Sequence, residues 1–298
     1  MEPEPNGAAV SPDHSFSTTS FYDEHNLVAP ADHQRTVALV KLSDTSGFYV
    51  DIFRARSDTP NQYHDYVYHN VGDTLSIQSG GESLRMTADP QRFQAPAKID
   101  WELQRDFQHP GWHYFEDVET SEQTDDGYES VFVATELGDT PIHMRALIPA
   151  GLVTEMTQVN GPPTKGAPKG YRKKPLPAFV MRHEGEAWDN PFVAVYESYE
   201  DKPSVQSVER LMSGNVLKGV KITSTVDDQD LIHYVLLQDS PDDIYENNEL
   251  DITFKGRFGI VTADATGTLH DIYIGSGHTI NYKNTTVDAA TQAVYWKR

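Results

Sequence analysis

The sequence contains no cysteine, which removes a disulfide framework and any thiolate metal site from consideration. It also lacks a long apolar run. Stretches such as FVAVY and YVLL fall far short of the ~20 residues that a membrane-spanning helix needs. Positive charge is scarce: 24 Lys and Arg stand against 45 Asp and Glu, a formal net charge of −21. Phosphate binding requires a compensating basic face, so no nucleic-acid partner is expected. The opening residues, MEPEPNGAAVSPDHS, have neither the basic nor the apolar region of a secretory leader, so no signal peptide is expected within this chain. Sequence motifs for a P-loop, a dinucleotide-binding glycine turn, an HExxH zinc site and an ordered Ser-His-Asp triad are absent as well.

What is present is β-structure. Residues 1–33 are rich in Pro, Ser, Thr, Asp and Glu and read as an extended entry segment. From there, short alternating runs such as TVALVKL, GFYVDIFRAR, YHDYVYHNV, ESVFVATEL and LKGVKITSTV are separated by Gly, Pro, Asp or Asn. Alternation with period two, and almost none with period 3.6, predicts an all-β fold. The expected form is a large antiparallel β-sandwich of layered sheets with long loops, one domain over 34–298.

Four stretches carry side chains capable of chemistry. In YHDYVYHN, alternation puts His64, Tyr66 and Tyr68 on one face of a strand and Asp65, Val67 and His69 on the other. A Tyr/His pair can remove the proton beside a uronate carboxylate while a cation stabilises the enolate. His64 and Tyr66 are therefore candidate catalytic groups, with Arg54 or Arg85 as the cation. The same residues can equally form the half-wet wall of a sheet. The segment KGAPKGYRKK is the one concentrated basic patch, and Lys165, Lys169, Arg172 and Tyr171 are candidates to grip an anionic sugar chain, with Tyr171 stacking on a ring. It can also be a solvated loop. DFQHPGWHYF offers Trp112 as a stacking platform or as the cap of a sandwich end. The acidic clusters TDDG, VDDQD and SPDDIYENNE could donate oxygens to Ca²⁺, but none has EF-hand spacing. A divalent metal, Zn or Ca, stays open as a cofactor, with no complete site.

Two segments resemble the C-terminal β-sheet domain of heparinase II/III-like polysaccharide lyases. They are HQRTVALVKLSDTSGFYVDIFRARSDTPNQYHDYVYHNVGD and GEAWDNPFVAVYESYEDKPSVQSVERL, the second departing from the pattern at Asn190-Pro191 and at Glu197-Ser198-Tyr199. The resemblance implies a uronic-acid polysaccharide lyase working by β-elimination, with most catalytic groups on an α/α toroid domain that this chain does not contain. It implies an anionic polysaccharide as partner and an extracellular or periplasmic location. His25-Asn26 echoes a zinc-ligand segment whose other ligands are absent here, so no zinc or catalytic residue is carried over. His64, Tyr66 and His69 are expected near an interdomain cleft, and Lys165, Lys169, Tyr171, Arg172 and Trp112 at the substrate. The residues also leave open an autonomous lyase and a carbohydrate-binding module without chemistry.

Overall fold

The computed structural model describes residues 4–23, 30–95, 111–289 and 292–298. Twenty-two strands run through them. The first eight are β1 (Glu4–Val10), β2 (His14–Asp23), β3 (Ala31–Lys41), β4 (Gly47–Arg56), β5 (Tyr63–His69), β6 (Thr74–Ser79), β7 (Glu82–Ser83) and β8 (Thr87–Ala88). The next six are β9 (Glu116–Thr124), β10 (Tyr128–Ala134), β11 (Ile142–Ile148), β12 (Thr154–Gly161), β13 (Leu176–Glu184) and β14 (Ala187–Tyr199). The last eight are β15 (Val205–Ser213), β16 (Val216–Val226), β17 (Gln229–Leu237), β18 (Ile244–Asn247), β19 (Ile252–Asp264), β20 (Leu269–Tyr282), β21 (Thr285–Asp288) and β22 (Val294–Lys297).

All pairings are antiparallel, and the strands form three sheets. Sheet A has nine strands in the order β1-β2-β3-β4-β14-β11-β10-β6-β7, and sheet B has five in the order β5-β13-β12-β9-β8. Sheet C has eight, built on β15-β16-β17-β19-β20-β21, with β18 paired to β19 and β22 to β20. The layered all-β fold read from the alternation is the fold observed.

Sheet A is the middle layer, and β4 shows why. Its even-numbered Phe48, Val50 and Ile52 join Phe16, Val40, Val193 and Val195 in a core shared with Val220, Ile222, Val235, Phe258 and Ile260 of sheet C. Its odd-numbered Tyr49 and Phe53 face the other way, into a core with Tyr66, Phe179 and Met181 of sheet B. A strand buried on both faces reads as a near-continuous apolar run, which is what FVAVY in β14 is.

Residues 4–23, inside the segment read as an extended entry, supply β1 and β2 to sheet A. The β2 sequence HSFSTTSFYD alternates, with His14, Phe16 and Thr18 buried toward sheet C. This end of the chain is clasped by the last strand. The Asp13 carboxylate accepts from Tyr295 Oη at 2.5 Å and from Lys297 Nζ at 2.9 Å, while buried His14 meets Asp271 at 2.8 Å. The loop carrying Trp112 folds over the outer face of sheet B, where Trp112 and Phe115 pack against Phe93, Val118, Val159 and Val180. His109 and Trp101 of the same insertion, and His25-Asn26, lie outside the described residues.

Candidate functional site

Sheet B is narrower than sheet A. Its edge strand β5 lies directly over β4: Tyr66 Oη donates to Asp51 Oδ2 at 2.8 Å, and Tyr49 Oη meets Tyr68 Oη at 3.2 Å. The strands of sheet A beyond that edge, β3, β2 and β1, therefore present their sheet-B face without a covering layer among the described residues. Ser17, Phe21, Arg35 and Leu39 are exposed there. The result is a step, with β3 and β2 as its floor and β5 as its wall.

The antiparallel register sets the floor. Cross-strand rows run Ser15–Leu39–Tyr49–Tyr196, then Ser17–Val37–Asp51–Ala194, then Thr19–Arg35–Phe53–Phe192, then Phe21–His33–Ala55. From Leu39 to His33 the floor extends roughly 20 Å at ~3.3 Å per residue. A groove of about 520 Å³ opens over the first row, lined by Leu39, Lys41, Tyr49, Met144 and Tyr196 among others.

At the foot of the wall sits a charged, hydrogen-bonded unit. The guanidinium of Arg35 grips Asp51 from two nitrogens, Nε (2.9 and 3.1 Å) and Nη2 (2.5 Å). The Arg35 side chain is 51% exposed, whereas that of Asp51 is 1% exposed. Among the described residues, Asp51 thus has one cation, on the open side, and one neutral donor, Tyr66, from the wall. Tyr66 Oη in turn shares a 2.8 Å hydrogen bond with Tyr196 Oη, and the Tyr196 ring stacks on Tyr49 and packs at a tilt on Tyr68, with ring centroids 4.7 and 4.3 Å away. Burial, with the Asp51 charge beside it, holds the Tyr66 phenol well above the usual tyrosine range, so it stays protonated. The Asp51 carboxylate beside Arg35 pushes the guanidinium up as well, so it stays charged.

Further along the wall, the His64 ring lies 6.5 Å from that of His33 on the floor, and His183 pairs with His64 across β5 and β13. Burial pushes His64 down to about 4, and the neighbouring His33 and His183 push the same way. His33 is also lowered by burial, and its Nδ1 is buried without a hydrogen-bond partner among the described residues. Both imidazoles are therefore neutral at neutral pH. Among the described residues, no group of three or more His, Asp or Glu side chains converges as a metal ion would require.

The structure brings together some of the expected residues and separates others. His64, Tyr66 and Tyr68 share the inward face of β5, and Asp65, Val67 and His69 share the outer one. His69 is therefore on the opposite side of sheet B from the step. Arg54 does not join Tyr66 either. It stands three residues after Asp51, so its side chain leaves the other face of β4, where the buried guanidinium pairs with the exposed carboxylate of Asp239, next to sheet C. Arg85 is exposed beside β7. The cation at Tyr66 is Arg35, from the strand that pairs with β4. Tyr171 is not a stacking surface: it is fully buried, donates to Asp73 Oδ2 at 2.8 Å and accepts from the Glu136 N–H at 3.1 Å. Its neighbours Lys165, Lys169 and Arg172 are exposed, whereas Lys174 is held by Asp73 and Glu136. Trp112 is half-buried in the cap over sheet B.

Replacing Tyr66 with phenylalanine removes the one hydroxyl that reaches Asp51 from the wall and leaves the Tyr196 hydroxyl without its partner. The expected cost is about 1–3 kcal/mol. It should appear as a lower urea midpoint with an unchanged denaturant slope.

Residues 205–298 match a family described as the endo-acting ulvan lyase C-terminal domain. The match begins at Val205, the first residue of β15, and so takes in all of sheet C. Over 290 residues, 97% of this chain, the sequence is 35% identical to an endo-acting ulvan lyase of Formosa agariphila. The chain is similar to part of a polysaccharide lyase. It spans about a third of the length of that relative, 34%.

Proposed function

We propose that this chain is the β-sandwich portion of a uronic-acid polysaccharide lyase that cleaves an anionic glycan by β-elimination together with a separate toroid domain. The observation that carries the reading is the 35% identity to an endo-acting ulvan lyase across nearly the whole chain, at about a third of that enzyme's length. Ulvan, the substrate in that relative's name, is the first polysaccharide to test. A resemblance to the heparinase II/III-like β domain in the segments His33–Asp73 and Gly185–Leu211 supports the toroid as partner. A polymeric substrate supports an extracellular or periplasmic location. Among the described residues no helix is long and apolar enough to cross a membrane.

In β-elimination a base takes the proton beside the uronate carboxylate. The carbon–hydrogen electron pair becomes the new double bond, and the glycosidic oxygen leaves with a proton from an acid. The step between sheets A and B offers suitable groups. Neutral His64 can accept a proton, protonated Tyr66 lies beside it on β5, and Arg35 can neutralise a carboxylate. The Tyr66 hydroxyl is buried and committed to Asp51, which favours a share of the chemistry over a complete centre. Lys165, Lys169 and Arg172, exposed on the β12–β13 loop, supply further cationic contacts to the glycan.

The test is incubation of the purified chain with ulvan, alginate, heparan and chondroitin polysaccharides, following ultraviolet absorbance of the unsaturated uronate. Binding without turnover is the expected result. Turnover by the chain alone makes it an autonomous lyase. Absence of both on every substrate overturns the lyase reading.

A further inference from the structure

Resting on that reading, we infer that the open face of β2 and β3 is an anion-recognising track for the glycan, in which Nη1 of Arg35 donates to a carboxylate or sulfate group on the chain. The guanidinium has five N–H donors in a planar fork. Asp51 engages Nε and Nη2, and no hydrogen bond ties Nη1 to any described residue. Asp51 thereby fixes the plane of the fork and leaves its remaining donors facing solvent, since half the side chain is exposed. A positioned fork of this kind binds an oxyanion with less loss of side-chain freedom than a free arginine does.

The surroundings favour a carbohydrate over a protein partner. On β2 the floor beside Arg35 carries the small hydroxyl side chains Thr19, directly opposite Arg35 in register, and Ser17, opposite Val37, with Ser15 one row further on. Leu39 and Phe21 lie at the two ends, 56% and 40% exposed. Short hydroxyl residues between apolar ends form a flat surface on which a ring can lie while its hydroxyls find partners. The charge argument points the same way. In a chain of net charge −21, an exposed arginine whose partner carboxylate is wholly buried offers a local positive site. Asp51 is where the specificity originates: without it the guanidinium would lie flexibly over the floor.

The track is tested by the affinity of the full chain for ulvan at low salt, measured by titration calorimetry, with carboxyl-reduced and desulfated ulvan as parallel arms. Thr19→Glu puts a carboxylate on the exposed floor opposite Arg35, where it repels the incoming anion and competes for Nη1. Arg35→Lys keeps a cation for Asp51 but loses the fork. Thermal unfolding of both variants verifies that they are folded. Each should weaken binding at least about tenfold, the loss of one charge-assisted hydrogen bond. Loss of wild-type binding in the carboxyl-reduced arm assigns the contact to the uronate, and loss in the desulfated arm assigns it to a sulfate ester. Wild-type affinity in folded Thr19→Glu overturns the track and leaves the lyase reading standing. Failure of the wild-type chain to bind any form overturns the track as well, while turnover in the absorbance assay then decides the lyase reading separately.

Discussion

Replacing Arg145 with leucine should destabilise the chain by about 3–5 kcal/mol, because it leaves a carboxylate buried without its cation. Arg145 stands on β11 and Glu197 on β14, and both are nearly inaccessible. The Arg145 Nη1 group donates to Glu197 Oε1 at 3.2 Å and to the Val205 carbonyl at 2.9 Å. Glu197 also accepts the backbone N–H groups of Ser204 (2.8 Å) and Val205 (3.1 Å). The cluster therefore ties sheet A to the first residue of β15, where sheet C begins. Burial pushes the Glu197 carboxyl up even with Arg145 beside it. A carboxyl raised in the folded state is least costly when protonated, so its penalty grows with pH. The deficit of the variant relative to the parent should thus be largest near pH 8 and shrink toward pH 5, read from paired urea titrations. A deficit independent of pH would mean that lost packing, not an orphaned charge, sets the cost.

Acid should unfold the protein from a different origin. His64 is pushed down to about 4 and His233 to about 3, both mainly by burial, and His33 is lowered as well. In the unfolded chain each takes a proton near pH 6.5. Between 6.5 and 4 the unfolded state binds protons that the folded state refuses, so stability is full above 6.5 and falls as pH drops. Each fully shifted histidine contributes a slope of about 1.4 kcal/mol per pH unit, so His64 and His233 together reach roughly 2.7. Urea midpoints measured from pH 7.5 to 4.5 report that slope. His64→Asn should remove about one proton's worth of it, and an unchanged slope would contradict the burial of His64.

Much of the fold was legible because alternation is a local property. TVALVKL, GFYVDIFRAR and ESVFVATEL each announce a strand, and the parity of His64, Tyr66 and Tyr68 already assigned them to one face. Parity also held the correction for Arg54: it differs from Asp51 by three positions and so must leave the opposite face of β4. The HSFSTTSFYD alternation was visible too, but its Ser and Thr content masked a strand whose hydroxyl side faces the open step. Other features were not local. Arg35 reaches Asp51 through the β3–β4 register and Tyr66 reaches it from another sheet, and neither relation is written in any short window. Tyr171 is surrounded by lysines in sequence, yet the packing of Ala134 and Ala167 and the hydrogen bond to Asp73 bury it. Charge in the neighbouring residues is a poor guide to a side chain that turns inward.

The clasp between Asp13 and the last strand has a kinetic consequence. Its partners, Tyr295 and Lys297, lie 282 and 284 residues further along the chain. Contacts of such separation carry a large loop-closure entropy and slow the search for the native topology. On the ribosome, the surface of β2 and β4 that receives sheet C emerges long before β17, β19 and β22 do. The two layers therefore close late, and until sheet C is complete the apolar face of β2 and β4 lacks its cover, a state prone to association.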